Sequence, residues 1–260
     1  MRRSIKLLAI VSAVILGNTC LSVAASADET TNWSGFYGGL ALGGAYGQSK
    51  PDTTGERGAY FSSNDNEEQK PFLQKTISGS SVTGSVLAGY ERVRGQMVYG
   101  IETDISVMDY SETSAAGPVR YTTSNVDFNV RTTVETNFAF SIRPKIGYAV
   151  GNWMFHAAAG PSIGYFDYDF RYTDTFNGGG TNDFSKSTLA FGISSSVGAS
   201  YNLNDGWSLR GDYVLNYYPE VIDERQSFVR NNLGADLNAS IDHQVDFQSH
   251  NLRIALIKRF

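Results

Sequence analysis

Hydrophobic and polar residues alternate with a period of two along eight segments of the chain, and this period predicts β-strands. The pattern is clearest in residues 134–148, where Phe138, Phe140 and Ile142 share one parity and every charged side chain has the other. The eight segments are residues 33–47, 82–92, 97–108, 134–148, 153–165, 188–201, 207–217 and 247–260. The chain is therefore predicted to be all-β.

The connections between these segments alternate between long and short. The long, polar connections are residues 48–76, 109–133, 173–186 and 219–244, and the connections between them have only a few residues. One short connection, residues 204–206, has the Asn-Asp-Gly sequence of a tight hairpin turn. An even number of strands with this alternation is typical of an outer-membrane barrel with short periplasmic turns and long outer loops.

Alternation alone does not say which face is the interior, because soluble barrels of the lipocalin type alternate as well. The polar face is rich in Gly, Ala and Ser, as a narrow lumen requires. Aromatic residues also gather where strands meet the short turns, and the last strand ends at Phe260. These aromatic residues are Tyr148, Trp153, Tyr201, Trp207 and Phe260. We therefore predict an eight-stranded antiparallel transmembrane β-barrel with four long outer loops.

The charged residues of the predicted strands fall on the polar face, so we expect them to meet inside the barrel. They are Glu102, Asp104, Glu135, Arg143, Lys145, Arg210, Asp212 and Arg253. Buried charges are costly unless they are paired, which favours a salt-bridge network with a structural role. The alternative hypothesis is a gate, in which exchange of partners opens a small pore.

The first 27 residues have the features of a secretory signal peptide. Three basic residues within the first six positions precede an apolar stretch, and Ala25 and Ala27 form a small-residue cleavage motif. Cys20, the only cysteine, lies in this segment. We expect residues 1–27 to be removed and residues 28–260 to form one barrel domain without disulfides.

Composition narrows the class of protein further. The formal net charge is −5, which argues against a nucleic-acid partner. Charged residues make up only 18% of the chain, too few for a disordered protein. The chain has 27 Gly, 15 Tyr and 15 Phe, and this composition favours β-structure. After the N-terminal segment no apolar run reaches the length of a membrane-spanning helix.

Five motifs, in their order and spacing, resemble the small outer-membrane β-barrel proteins common in alphaproteobacteria, a family related to opacity-protein and OmpA-type barrels. The motifs are WSGFYGG at 33–39, YGIETD at 99–104, RPKIGYA at 143–149, NDGWSLR at 204–210 and NLRIALIKRF at 251–260. The resemblance covers the strands and none of the long connections. It implies an integral protein of the cell outer membrane, in contact with lipid and lipopolysaccharide. It also implies that Phe260 is an assembly signal for the barrel assembly machinery.

Catalysis would need a nucleophile with a base and an orienting group. Ser249, His250 and Asp246 lie close in sequence, but adjacent residues of a strand point to opposite faces. The chain has no metal-ligand cluster and no phosphate-binding loop motif. We therefore expect no enzyme, no metal site and no cofactor.

The predicted function is structural: support of envelope integrity and surface presentation. A first alternative is a narrow porin-like channel gated by the lumen charges. A second is an adhesin or receptor for a host or surface ligand, because the predicted outer loops carry aromatic and charged residues such as Tyr60, Phe61 and residues 223–225.

Overall fold

The computed structural model describes residues 32–260, so the predicted signal segment with Ala25 and Ala27 lies outside the described residues. The strands are β1 (Gly35–Pro51), β2 (Thr54–Gly55), β3 (Ile77–Arg94), β4 (Met97–Arg120), β5 (Asp127–Val150), β6 (Trp153–Asp174), β7 (Gly180–Asn204), β8 (Trp207–Asn232) and β9 (Ala235–Arg259). One α-helix, α1 (Ser63–Leu73), and one 3₁₀ turn (Phe176–Gly178) complete the secondary structure of this range.

Eight long strands form a closed antiparallel ring. Each pairs with its neighbour in the order β1-β3-β4-β5-β6-β7-β8-β9, and β9 returns to pair with β1. The closing ladder runs from Tyr37 opposite Arg259 to Pro51 opposite Val245. In the half of the wall near the short turns the closed ring leaves no strand edge unpaired, which is the condition for a β-structure to cross a bilayer. The predicted eight-stranded antiparallel barrel is confirmed.

A belt of large apolar side chains covers the outer surface of the wall near the short turns. Six of its members are at least 65% exposed: Phe36, Leu40, Leu42, Val82, Phe191 and Ile254. A continuous apolar surface of this size is not stable in water and marks the part of the wall that faces lipid. The inner face at the same height carries mainly small and polar side chains, with a few buried apolar ones such as Leu87 and Ile257.

Aromatic residues form a girdle at the short-turn rim of this belt. The rings of Phe36 and Tyr90 lie 4.9 Å apart across β1 and β3, and those of Trp153 and Tyr201 lie 4.9 Å apart across β6 and β7. Tight turns join the strands below them. Asp205 and Gly206 have φ of 49° and 75°, the left-handed backbone that a two-residue hairpin turn requires.

The polarity of the two faces is reversed in the outer half of the wall. The inner face of β6 carries His156, Ala158 and Ser162, and then changes to Phe166, Tyr168, Phe170 and Tyr172, which are all buried. The outer face changes in the opposite sense, from Phe155 and Ile163 to Asp167, Asp169 and Arg171. The strand itself is continuous through this change.

The same reversal occurs along β9. Its inner face changes from Ile241, Val245 and Phe247 to Ser249, Asn251 and Arg253 toward the short-turn rim. An apolar side chain is stable outside the wall where lipid surrounds it and inside where water surrounds it. The reversal therefore marks the height at which the wall leaves the membrane.

The prediction of a long loop is wrong for three of the four connections. Residues 109–133, 173–186 and 219–244 are mostly extensions of β4 to β9, and the connections that remain are residues 121–126, 175–179 and 233–234. Leu233 and Gly234 have φ of 51° and 93° and close the β8–β9 hairpin tightly. Each predicted strand ended where apolar residues no longer occupied the lipid-facing positions. In the structure the strands continue beyond that point, with their apolar residues on the inner face.

The fourth long connection, residues 52–76, has defined structure and lies across the outer opening of the barrel. A capping box begins α1, in which Ser62 and Asp65 each bond the other's backbone N–H. Gln69 and Leu73 of the helix are buried in the wall's outer half. Among residues 32–260, no helix is both long and apolar enough to span a membrane.

The lipid-facing belt makes a direct prediction about stability. Ile254 on β9 is 65% exposed within the belt, and Val229 on β8 is 56% exposed in the outer extension. Ile254→Arg should cost about 2–4 kcal/mol of unfolding free energy, because it places a charge in hydrocarbon. Val229→Arg, the matched control, should change it by less than about 0.5 kcal/mol, because its side chain faces water.

Urea titration of the protein refolded in lipid vesicles measures both values. Equal losses in the two variants would mean that the belt does not face lipid.

Candidate functional site

The interior of the membrane-spanning wall contains one connected layer of charged side chains. It comprises Glu91 on β3, Glu102 and Asp104 on β4, Arg143 and Lys145 on β5, Arg210 and Asp212 on β8, and Arg253 and Arg259 on β9. Each lies on the inward parity of its strand. With the exception of Arg259, all of them are at most 5% exposed.

Glu102 is the centre of this layer. Its carboxylate accepts hydrogen bonds from Arg143 Nη2 at 2.9 Å and from Arg210 Nη1 and Nη2 at 2.5 and 3.0 Å. Tyr37 Oη also donates to it at 2.7 Å, and Lys145 Nζ lies 3.6 Å away. Four cationic or hydroxyl side chains from three other strands, β1, β5 and β8, thus converge on one buried carboxylate of β4, which ties opposite sides of the wall together.

Two further carboxylates extend the layer towards the short-turn rim and across the lumen. Glu91 lies 2.8 Å from Lys145 Nζ and accepts from Arg259 Nη2 at 2.6 Å. Asp212 accepts from Arg210 Nε at 2.6 Å and lies 3.0 Å from His156 Nε2.

Asp104 joins two arginines on the side of the layer that faces the outer half of the wall. Its Oδ2 accepts from Arg143 Nη2 at 3.0 Å and lies 2.7 Å from Arg253 Nη1. Arg143 Nη1 also donates to Ser194 at 3.1 Å, and Arg253 Nη1 donates to Ser85 at 2.5 Å.

The structure brings together seven of the eight charged residues expected in the lumen, but Glu135 is not one of them. A β-bulge between Thr136 and Phe138 inserts one residue into β5. The bulge exchanges the two faces of the strand, so Val134 and Thr136 point inward and Glu135 points outward. Glu135 is half-buried there and accepts a hydrogen bond from Ser111 Oγ at 2.6 Å.

The sequence interpretation missed Glu91, Arg259 and Tyr37 as members of the layer. Glu91 and Arg259 lie on the same parity as the other polar residues of β3 and β9, so parity alone could have included them. Tyr37 is a large residue among small ones, and its partner in the β1–β3 register is Gly89. A Cβ at Gly89 would lie 2.5 Å from Tyr37 Oη, so a glycine there makes room for the ring.

A second closure lies above the charged layer. The rings of Phe166, Tyr218, Phe247 and Tyr110 pack together with centroid separations of 5.1 to 5.2 Å, and we call these four residues the aromatic plug. A Cβ at Gly192 would lie 2.6 Å from the Tyr218 ring. The glycine on the neighbouring strand β7 therefore makes room for the Tyr218 ring in the plug.

The outer half of the wall has an aromatic core with a pocket at its mouth. Tyr121 Oη and Tyr172 Oη lie 3.0 Å apart, and Gln69 of α1 donates to Tyr121. The pocket has a volume of about 230 Å³, and Tyr60 and Phe176 are among the residues that line it. Burial raises the pKa of the Tyr172 hydroxyl, which stays neutral.

His243 lies in this aromatic core, above the membrane. Its ring stacks on Phe184 at 4.7 Å, and its Nδ1 lies 3.1 Å from Tyr168 Oη. Its Nε2 has no hydrogen-bond partner among residues 32–260. Burial lowers the pKa of His243 to about 4, and the nearby Asp242 offsets only part of this effect.

The residues considered for catalysis are not brought together. Ser249 is buried on the inner face, whereas His250 lies on the outer face and pairs with Tyr213 Oη at 2.6 Å. Asp246 accepts from the backbone of Glu220. Within residues 32–260 no group of three His, Cys, Asp or Glu side chains is placed to hold a metal ion.

A closed wall with an apolar outer belt, an aromatic girdle and an ion-paired interior defines a transmembrane β-barrel of the Gram-negative outer membrane. The chain belongs to the outer membrane protein beta-barrel domain family, whose family model matches residues 13–249. This match confirms the resemblance to small outer-membrane barrels, and the link to alphaproteobacteria stays a prediction. A search of curated protein sequences found no match.

Several solved structures are similar to the chain. Neisserial surface protein A is 14% identical with a TM-score of 0.35, over 87% of this chain and 98% of that one. The outer membrane protein OprG from Pseudomonas aeruginosa is 11% identical with a TM-score of 0.41, over 87% and 97%. The outer membrane protease OmpT from Escherichia coli is 9% identical with a TM-score of 0.45, over 87% and 97%.

The charged layer predicts a large effect from a small chemical change at its centre. Glu102→Gln removes the negative charge shared by Arg143, Arg210 and Lys145, and it should cost about 3–5 kcal/mol of unfolding free energy. Asp183→Asn makes the same change in the exposed pair with Arg171 and should have no measurable effect.

The midpoint of urea unfolding in lipid vesicles tests both variants. Similar midpoints for Glu102→Gln and Asp183→Asn would show that the layer does not stabilise the wall.

His243 predicts a dependence of stability on pH. The unfolded chain protonates His243 near pH 6.5, whereas the folded chain resists protonation down to about pH 4. The contribution of neutral His243 to the free energy of unfolding is therefore complete above pH 6.5 and decreases as the pH falls towards 4. The expected decrease is about 2 kcal/mol between pH 7 and pH 5. His243→Phe should lack this component, and an equal decrease in the variant would assign it to other groups.

Proposed function

We propose that the protein is a structural component of the outer membrane that supports envelope integrity and presents an ordered outer surface. The observation that carries this proposal is the double closure of the lumen. The charged layer around Glu102 blocks the membrane-spanning half, and the aromatic plug blocks the lumen above it. Two closures of different chemistry, one ionic and one apolar, suit a wall built for rigidity.

The narrow-channel alternative would require both closures to open. The spaces between them are cavities of about 10 and 20 Å³, enough for one or two water molecules. Exchange of salt-bridge partners at Arg143 would open only the charged layer. The rings of Phe166, Tyr218 and Phe247 would still fill the lumen above it, so a simple charge gate does not suit this wall.

Surface presentation is the second part of the proposal. The outer extension has its own aromatic core, and helix α1 is held in it by Gln69 and Leu73. An outer extension with its own core and a fixed helix suits contact with a host or surface ligand. The pocket lined by Tyr60, Tyr121 and Phe176 is the place where we propose that such a ligand would bind.

The lipid-facing belt supports the proposal that lipid and lipopolysaccharide are the immediate neighbours of the wall. We also propose that Phe260, whose side chain is 83% exposed beside the girdle, acts as the assembly signal for the barrel assembly machinery. A non-catalytic role is part of the same proposal, because Ser249 and His250 lie on opposite faces of β9.

Conductance separates the structural role from the channel. We expect the purified protein in a planar lipid bilayer to give no discrete conductance steps, because two closures block the lumen. Arg143→Ala should remain silent as well, because the aromatic plug is intact. Conductance steps in the unmodified protein would favour a channel, and steps only in Arg143→Ala would favour a gate formed by the charged layer.

A further inference from the structure

A polar chamber lies between the charged layer and the aromatic plug. It consists of two adjoining cavities of about 10 and 20 Å³, and Thr83, Asn216 and Asn251 line both of them. The floor is formed by Asp104, Arg143 and Arg253, and the ceiling by Tyr218 and Phe247. The wall around the lower cavity carries hydroxyl groups from Ser141, Ser162 and Ser194.

Both arginines of the floor retain hydrogen-bond donors without a partner among residues 32–260. These donors are Nε of Arg143 and Nε and Nη2 of Arg253. The side chains of Arg143 and Arg253 are 1% and 3% exposed, so bulk water does not satisfy them. A buried charged donor without an acceptor is costly, which means that these N–H groups favour an acceptor in the chamber.

The charged side chains that line the chamber have one positive charge in excess, because Arg143 and Arg253 share the chamber with the single carboxylate of Asp104. In the layer as a whole the fully buried charges balance, and Arg259 lies at the short-turn rim, where its side chain is 12% exposed. His156 adds no negative charge in either protonation state. Oδ2 of Asp104 already accepts from both arginines of the floor, so the chamber side of the layer is electropositive.

We propose that the chamber binds one small inorganic anion of the halide class, held by Arg253 and Arg143. A water molecule could accept from the free N–H groups, but it would leave the excess positive charge of the chamber lining without a counter-charge in a low-dielectric interior. The small volume excludes phosphate and carboxylates. The hydroxyl and amide groups of Ser141, Ser162 and Asn251 would complete the shell. The proposed anion site does not depend on the proposed structural role, because a barrel that acts as a channel could contain the same chamber.

Diffraction from crystals of the full barrel grown in sodium bromide tests the site without any substitution. We expect an anomalous bromide peak in the chamber within hydrogen-bond distance of Arg253 Nε or Nη2. Density in the chamber without anomalous signal would identify water and would overturn the proposal.

Stability in solution gives an independent readout. At equal ionic strength, chloride or bromide should raise the heat-unfolding midpoint in detergent by roughly 2–4 °C relative to gluconate, which is too large for the chamber. Arg253→Met should abolish this rise. Arg259→Met, which removes the same charge from the layer but no donor from the chamber, should retain it.

An equal halide effect in the two variants, or none in the unmodified protein, would overturn the proposal. If Arg253→Met does not fold, the bromide diffraction experiment still decides.

Discussion

The narrow interior of an eight-stranded wall is filled by side chains, so each buried charge inside depends on an opposite charge beside it. Glu102 meets this constraint with donors from β1, β5 and β8, and Asp104 meets it with two arginines. The pairs connect strands on opposite sides of the ring, because a carboxylate at the centre of a narrow lumen is within reach of several walls. The electropositive lining of the chamber follows from how these charges are paired, because two arginines there share the carboxylate of Asp104.

The surroundings of the wall impose a second constraint, which changes with height. Where lipid surrounds it, the outer face must be apolar and the inner face carries the polar groups. Where water surrounds it, the same strands bury their aromatic residues inside, as β6 does from Phe166 to Tyr172. One continuous strand therefore contributes to two cores of opposite chemistry, and Gly164 lies at the boundary between them.

These two constraints explain which sequence predictions succeeded. The period of two placed Glu102, Arg143 and Arg253 on the inner face, because the pleat fixes parity wherever a strand is regular. It failed for Glu135, because the bulge at Thr136 exchanges the faces without a clear sequence signal. The period of two also predicted strands that were too short. Alternation shows which residues share a face, but it does not show whether lipid or water lies outside that part of the wall.

The sequence by itself determined the all-β class, the eight membrane-spanning strands, the lipid-facing parity and seven of the charges that meet in the lumen. These properties depend on local alternation and turn residues, which act within a few positions of one another. Only the tertiary structure decided which charges pair, where the aromatic plug fills the lumen and how far the wall extends above the membrane. Those outcomes depend on closure of the ring, which brings β1 to β9 and places residues more than a hundred positions apart, such as Glu102 and Arg210, in direct contact.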